Sequence, residues 1–183
     1  VVAVSGPLRR GLGDLHGHAS QFACGGTGMD MGLLDWLNAC ASPEESRVAD
    51  LDYAARAYGR FVEDVGRGPN TRACVFATAH VEATLLLMDM LEKSGLVTMV
   101  GKVSMDTSAP DGLREPDAPS AARAVRSWLE AAQRRYERTQ PMLTPRFLPS
   151  CSDTLLPDQG DNHTHSGRPG HSHPSHHHAH HPP

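Results

Sequence analysis

An α/β fold built on a parallel sheet is predicted by three observations. Short β-favouring runs alternate with longer segments whose apolar residues recur at helical spacing. Turn clusters rich in glycine, proline and asparagine separate them. The resulting order, β-α-β-α-β-α-β, suits parallel strands joined by right-handed crossovers. Four such strands form either an open α/β sheet or half of an eight-stranded barrel, and periodicity alone does not choose between them. No internal repeat is visible.

The elements follow in order. Gly11 to Leu15 is a short strand running into Asp14-Leu15-His16-Gly17-His18. A long loop follows, with a short helix near Leu33 to Ala39. Asp50 to Val65 is a helix, with Ala54, Ala57, Tyr58, Phe61, Val62 and Val65 on one face and Asp50 or Asp52 as its cap. Gly66 to Asn70 is a turn, and Thr71 to Ala77 a buried strand. Val81 to Ser94 is a second long helix, closed by Gly95; its Leu85 to Leu91 run reads as a buried face. Leu96 to Val103 is the third strand. Ser120 to Arg138 is the third long helix, with Ala124, Val125, Trp128, Leu129, Ala132 and Tyr136 aligned. Met142 to Phe147 is the fourth strand.

Composition bounds the rest. The chain has 183 residues, a formal charge of −4 and 39% hydrophobic residues. That charge leaves no electrostatic footprint for nucleic acid or an anionic membrane surface. No stretch has the length and apolarity of a membrane span. Cys24, Cys40, Cys74 and Cys151 form no CxxC pair, and Val1 to Arg10 lacks the apolar run of a secretory leader, so reduced thiols and a cytoplasmic location are expected. From Pro157 onward large apolar residues are almost absent, and nine of the twelve histidines lie there. Such a segment buries too little surface to offset its ordering entropy. The expected organisation is a folded domain over residues 1–156 and a disordered His/Pro/Gly/Ser-rich tail over 157–183. The bland reading of the tail is low-complexity sequence without function; the alternative is loose metal binding by clustered imidazoles.

His16-x-His18 is the sharpest local signal. Alternate residues leaving a strand share a face, so the two imidazoles can hold one metal, zinc above all. Paired histidines also occur on loops without ligating anything. Other polar residues have ordinary structural readings. Gln21 can satisfy loop backbone groups, and Arg146 can pair with a surface carboxylate. Phe147 and Trp36 are by default core residues, Cys151 a small buried group, and His80 a capping or surface residue.

The run Gly13-Asp14-Leu15-His16-Gly17-His18-Ala19-Ser20-Gln21-Phe22 resembles the first-strand motif of guanine deaminases, within the amidohydrolase superfamily. The similarity continues through Gly25 to Leu37, Arg72 to Leu91, Val100 to Asp106 (VGKVSMD) and Leu143 to Cys151 (LTPRFLPSC). The resemblance implies a partial (β/α)8 TIM-type barrel, about its first four β/α units. It implies one Zn2+ per site with His16 and His18 as two of its ligands, and conversion of guanine and water to xanthine and ammonia. Gln21 would hydrogen-bond the purine, Arg146 and Phe147 would hold and stack it, and Trp36 would line the pocket. A planar guanidinium suits a purine edge and an aromatic ring its face. A homodimer is compatible with the resemblance. Lys102 is a strand lysine of the kind some superfamily members carboxylate to bridge two metals, but a one-metal family argues against that role.

The resemblance stops near Leu156. The later histidine, the zinc aspartate and the glutamate that carries the proton in the family have no counterpart in the sequence that follows. The family pattern is therefore expected to be incomplete at both ends, the first residue not being Met, and the chain is expected to lack deaminase activity by itself. Gly68-Pro69-Asn70-Thr71 also departs from the family's usual turn. Half a barrel would leave its first and last strands as open edges, which promote aggregation. Two other functions stay in view: another amidohydrolase acting on a purine, pyrimidine or triazine ring, and a non-catalytic His-rich metal-binding protein. Cytidine-type deaminases require P-C-x-x-C beside H-x-E. The chain holds no P-C-x-x-C, which sets that architecture aside.

Overall fold

The structure is a computed structural model that describes residues 10–146 and 148–173. Four parallel strands lie side by side in chain order: β1 Leu12–His18, β2 Asn70–Phe76, β3 Val97–Ser104 and β4 Thr139–Pro145. Between them run the helices. A 3-10 turn, Ala19–Cys24, leaves β1. The helices α1 Leu33–Trp36 and α2 Ser42–Arg47 are joined through a π-helical stretch, Leu37–Ala41. Then come α3 Leu51–Arg67, α4 Val81–Ser94 and α5 Ala118–Ala132. The expected α/β order is present, and the parallel sheet with its helices is part of a (β/α)8 barrel. Among the described residues, no helix is long and apolar enough to cross a membrane.

Local chemistry sets the helix ends. Asp50 caps α3 by accepting from the backbone N–H groups of Asp52 and Tyr53. Asp117 does the same for α5 through the N–H of Ser120, with Pro119 in the first turn, where a missing N–H does no harm. Gly95 closes α4 at φ 81°, a left-handed conformation that glycine adopts without steric penalty.

The helices cover one face of the sheet. Tyr58 and Phe61 of α3, Leu87, Met88 and Leu91 of α4 and Trp128 of α5 pack over Ala73, Val75 and Val100. The Leu85–Leu91 run is thus a buried face, as its pattern predicts. The opposite face carries Cys74, Phe76, Met99, Val103 and Met142, roofed in part by Met105, Ala109 and Leu113 from the loop after β3. On this face the side chain of Thr144 fills the space left open by Gly101. A Cβ at Gly101 would stand 2.1 Å from Cγ2 of Thr144, whose hydroxyl donates to the carbonyl oxygen of Lys102 at 2.8 Å.

Two expectations differ from the structure. Helical spacing extends to Arg138, yet α5 ends at Ala132, and Arg134 adopts φ 59°. Tyr136 keeps the apolar rhythm from outside the helix: its hydroxyl donates to Asp89 at 2.9 Å, while Glu92 accepts the N–H groups of Glu137, Arg138 and Thr139. That cluster on α4, invisible to periodicity, draws the chain out of the helix and into β4. The second difference lies beyond Pro157, where a disordered tail is expected. Residues Leu155–Ser166 form a helix, α6, and the chain then turns at Gly167, φ 62°. Leu155 is fully buried against Ala118, Ala121 and Cys151, which anchors the helix on α5. After the turn, residues 169–173 run alongside β4: Leu143 N–H donates to Pro169 O at 2.9 Å, and His171 N–H to Leu143 O at 2.8 Å. The last ten residues of the expected tail lie outside the described residues.

A candidate metal centre and its polar neighbours

Pairing between β1 and β2 is irregular where the histidines sit. Asp14 pairs with Ala73 and Gly17 with Val75, so β1 holds one extra residue between them, a β-bulge. Asp14 Oδ1 accepts the N–H of His16 at 3.0 Å and stabilises the bulge. Pairing resumes with His18 opposite Phe76. Both imidazoles then lie against the Phe76 ring, at centroid distances of 4.9 Å for His16 and 4.8 Å for His18. The two rings are 5.1 Å apart and their Nε2 atoms 3.3 Å apart. The expected convergence of His16 and His18 is therefore present.

Two more histidines reach the same spot from the segment beside β4. His173 places its Nε2 3.0 Å from the Nε2 of both His16 and His18. His171 places its Nε2 2.9 Å from Nδ1 of His16. The ligand-capable nitrogens of His16, His18 and His173 all fall within 4.8 Å of one another. Neither tail histidine figured among the sequence candidates. The available signal was His171-x-His173, a second H-x-H inside the tail.

The surroundings favour the neutral form of His16, His18 and His173. Burial, then the positive charge of Arg146, pushes His18 down to about 2. His16 is lowered first by burial and next by His171, with Asp14 acting the other way. Burial also lowers His173. A neutral imidazole keeps a lone pair for a metal. The Nδ1 of His18 is buried and has no hydrogen-bond partner among the described residues.

Arg146 stands beside this cluster. Its backbone carbonyl accepts from His173 Nδ1 at 2.8 Å. Its side chain, 7% exposed, reaches the other way to Glu45, 1% exposed, with NH1 at 3.3 and 3.5 Å from the two carboxylate oxygens. Gln21, 9% exposed, donates its amide Nε2–H to Glu45 at 3.0 Å. Glu45 thus joins two of the sequence-designated substrate residues, Gln21 and Arg146, into one buried unit. It escaped the sequence reading because a Pro-Glu-Glu helix start reads as solvated surface. The surface ion pair proposed as the ordinary role of Arg146 becomes a buried one. Trp36 is half-buried, its indole N–H donating to Thr27 O at 2.9 Å beside Gly28. Phe147 lies outside the described residues.

Two further polar groups face the same end of the sheet. Lys102 is 1% exposed, donates to the carbonyl oxygen of Val103 at 3.1 Å and pairs with Glu115. His80, at the start of α4, makes no side-chain cap; its buried Nε2 has no partner among the described residues, and burial and then Lys102 lower its pKa.

No family model matches the chain. Individual relatives do. Human guanine deaminase is 39% identical over 153 residues, which is 82% of this chain and 34% of that protein. The Dictyostelium discoideum guanine deaminase is 38% identical over 146 residues, 80% of this chain and 32% of that protein. Among solved structures, the guanine deaminase from C. acetobutylicum with bound guanine superposes with a TM-score of 0.86 at 39% identity, covering 89% of this chain and 39% of that one. The E. coli guanine deaminase gives 0.81 at 30% identity, with coverages of 89% and 37%. A zinc-bound adenosine deaminase from Xanthomonas campestris, at 18% identity and a TM-score of 0.70, shows the shared fold alone. The chain spans about a third of the length of the curated relatives it matches. Over most of its length, sequence and fold agree that this chain is a homologue of the guanine deaminases of the amidohydrolase superfamily.

Proposed function

We infer that this chain carries part of a zinc-dependent guanine deaminase site, the part that contributes two metal ligands and a purine grip. The observation that carries the reading is the buried unit Gln21–Glu45–Arg146 lying beside the His16–His18 pair at the carboxyl end of the sheet. Active sites of barrel enzymes are built at that end.

The donor set fits a metal. Neutral imidazoles at strand-alternate positions are ordinary zinc ligands. When bound there, zinc supplies an activated water and polarises the carbon under attack. The remaining work falls to this chain's own side chains. Glu45 holds Gln21 and Arg146 by charge-assisted bonds, so both keep a fixed orientation. Arg146 presents a planar donor to a purine edge and Trp36 a wall, while Gln21 supplies a polar amide. Fixed donors of this kind position a substrate without reorganisation at the moment of reaction. No glutamate follows Glu137, so the proton carrier of the family has no counterpart in the later sequence. The chain alone is predicted to release no ammonia from guanine. A chimera in which it replaces the matching third of the E. coli guanine deaminase is predicted to release it, and to lose that activity on Arg146→Ala. A folded, zinc-loaded chimera that hydrolyses a triazine or adenosine instead of guanine would sink the reading.

A further inference from the structure

Hydrogen bonding alone does not satisfy the histidine cluster. His173 Nδ1 lies 2.8 Å from a carbonyl oxygen, which only accepts, so Nδ1 carries the proton and Nε2 offers a lone pair. That single lone pair faces His16 Nε2 and His18 Nε2, each 3.0 Å away, and those two are 3.3 Å from each other. If both neighbours are N–H donors, one sp2 lone pair must serve two of them. If either is the other tautomer, lone pair meets lone pair. A cation among the three nitrogens removes the conflict. On a tetrahedral zinc with Zn–N bonds of about 2.0–2.1 Å, neighbouring nitrogens stand about 3.3 Å apart, close to the triangle seen here.

We propose that His173 completes, with His16 and His18, a three-imidazole site for one divalent ion of the zinc class, assembled wholly within this chain. His171 orients His16. It meets Nδ1, the nitrogen outside the triangle, at 2.9 Å, which is where an outer partner sets the tautomer of a ligating imidazole. The carbonyl of Arg146 plays the same part for His173. Phe76 walls the centre, its ring 4.8 to 5.3 Å from all four imidazoles. Three nitrogen ligands, with no carboxylate in the cluster among the described residues, select zinc, cobalt, nickel or copper over calcium or magnesium. The site shares His16 and His18 with the deaminase reading but needs neither guanine nor turnover.

The test uses the full chain and metal alone. Titration with cobalt(II), followed by its visible ligand-field bands, and zinc competition should show one tight equivalent with tetrahedral absorption. His171→Ala is expected to weaken binding about 10–100-fold, the usual result of removing an outer partner. His173→Ala is expected to weaken it further and to change the cobalt bands, while its far-ultraviolet circular dichroism stays that of the parent. His173→Cys should retain the tight equivalent and add a sulfur-to-cobalt charge-transfer band. Replacing His176, His177, His178, His180 and His181 together by serine should leave the tight equivalent in place. Unchanged affinity and spectrum in both His173 variants, or loss of the tight equivalent with those five serines, overturns the proposal while leaving the guanine reading to the chimera. If the alanine variant misfolds, the cysteine band decides alone: its absence counts as failure.

Discussion

The two faces of the sheet are held together by different physics. On the helix-covered face, Tyr58, Leu87, Met88, Leu91 and Trp128 interlock over Ala73, Val75 and Val100 with almost no exposure. Stability there comes from apolar area removed from water and from close packing. The opposite face has a thinner apolar floor of Phe76, Val103 and Met142, with Cys74 and Met99 only partly covered. Its upper end is polar: four imidazoles and the Glu45–Arg146 pair. Buried ion pairs of this kind add little net stability, but losing one partner is severe. One face stabilises the chain, and the other spends its interior on fixed charge and lone pairs.

The comparison yields three measurements, from the largest effect to the smallest. Glu45→Ala strands a buried guanidinium and releases Gln21, so denaturant unfolding should show a loss of about 3–5 kcal/mol. A loss below about 1 kcal/mol would mean the pair is screened by water and is not a buried unit. Next, Leu87→Ala on the helix face should cost about 2–5 kcal/mol, and Met142→Ala on the open face less, because the thinner layer collapses more readily around the gap. Equal losses would break the distinction between the faces. The smallest effect is Glu92→Gln at the end of α4. Burial tends to raise this carboxyl, but the N–H groups of Glu137, Thr139 and Arg138 outweigh it and leave its folded pKa below the usual glutamate value. Its contribution is therefore present above the unfolded pKa and lost as pH falls through the folded one. The variant should be less stable near neutrality by under about 1 kcal/mol, the group being only partly covered, and the two proteins should converge in acid. A difference that persists into acid would assign the effect to packing.

How much was legible in the sequence follows the same division. The helix face was read well because its rule is local: Ala54, Tyr58 and Phe61, then Leu87 and Leu91, recur at helical spacing, and Gly95 marks an end that only a left-handed residue makes. Where the reading overshot, at Arg138, a non-local carboxylate cluster on α4 overrode the rhythm. The histidine pair was legible because strand alternation is also local. Its completion was not, because composition ranks the tail as unfoldable and cannot register that one residue, Leu155, finds a socket on α5. Glu45 was invisible for the converse reason. Nothing local marks a helical glutamate as buried; its burial follows from Arg146, 101 positions away. The roles of Gln21 and Arg146 came from family resemblance alone, and the structure adds the carboxylate that links them.

The extra residue in β1 decides which way the histidines look. Ala73 and Val75 point toward the helices, and Asp14 and Gly17 are their partners, three steps apart against two. Count forward from Asp14 with ordinary parity and both imidazoles fall on its side, under α3 and α4. A one-residue slip exchanges the two sides of a strand. On a regular strand that kept the register of Asp14 the two histidines would thus enter the oily layer, whereas removing Leu15 alone should let Asp14 and Gly17 stand two steps apart and leave His16 and His18 on the open face.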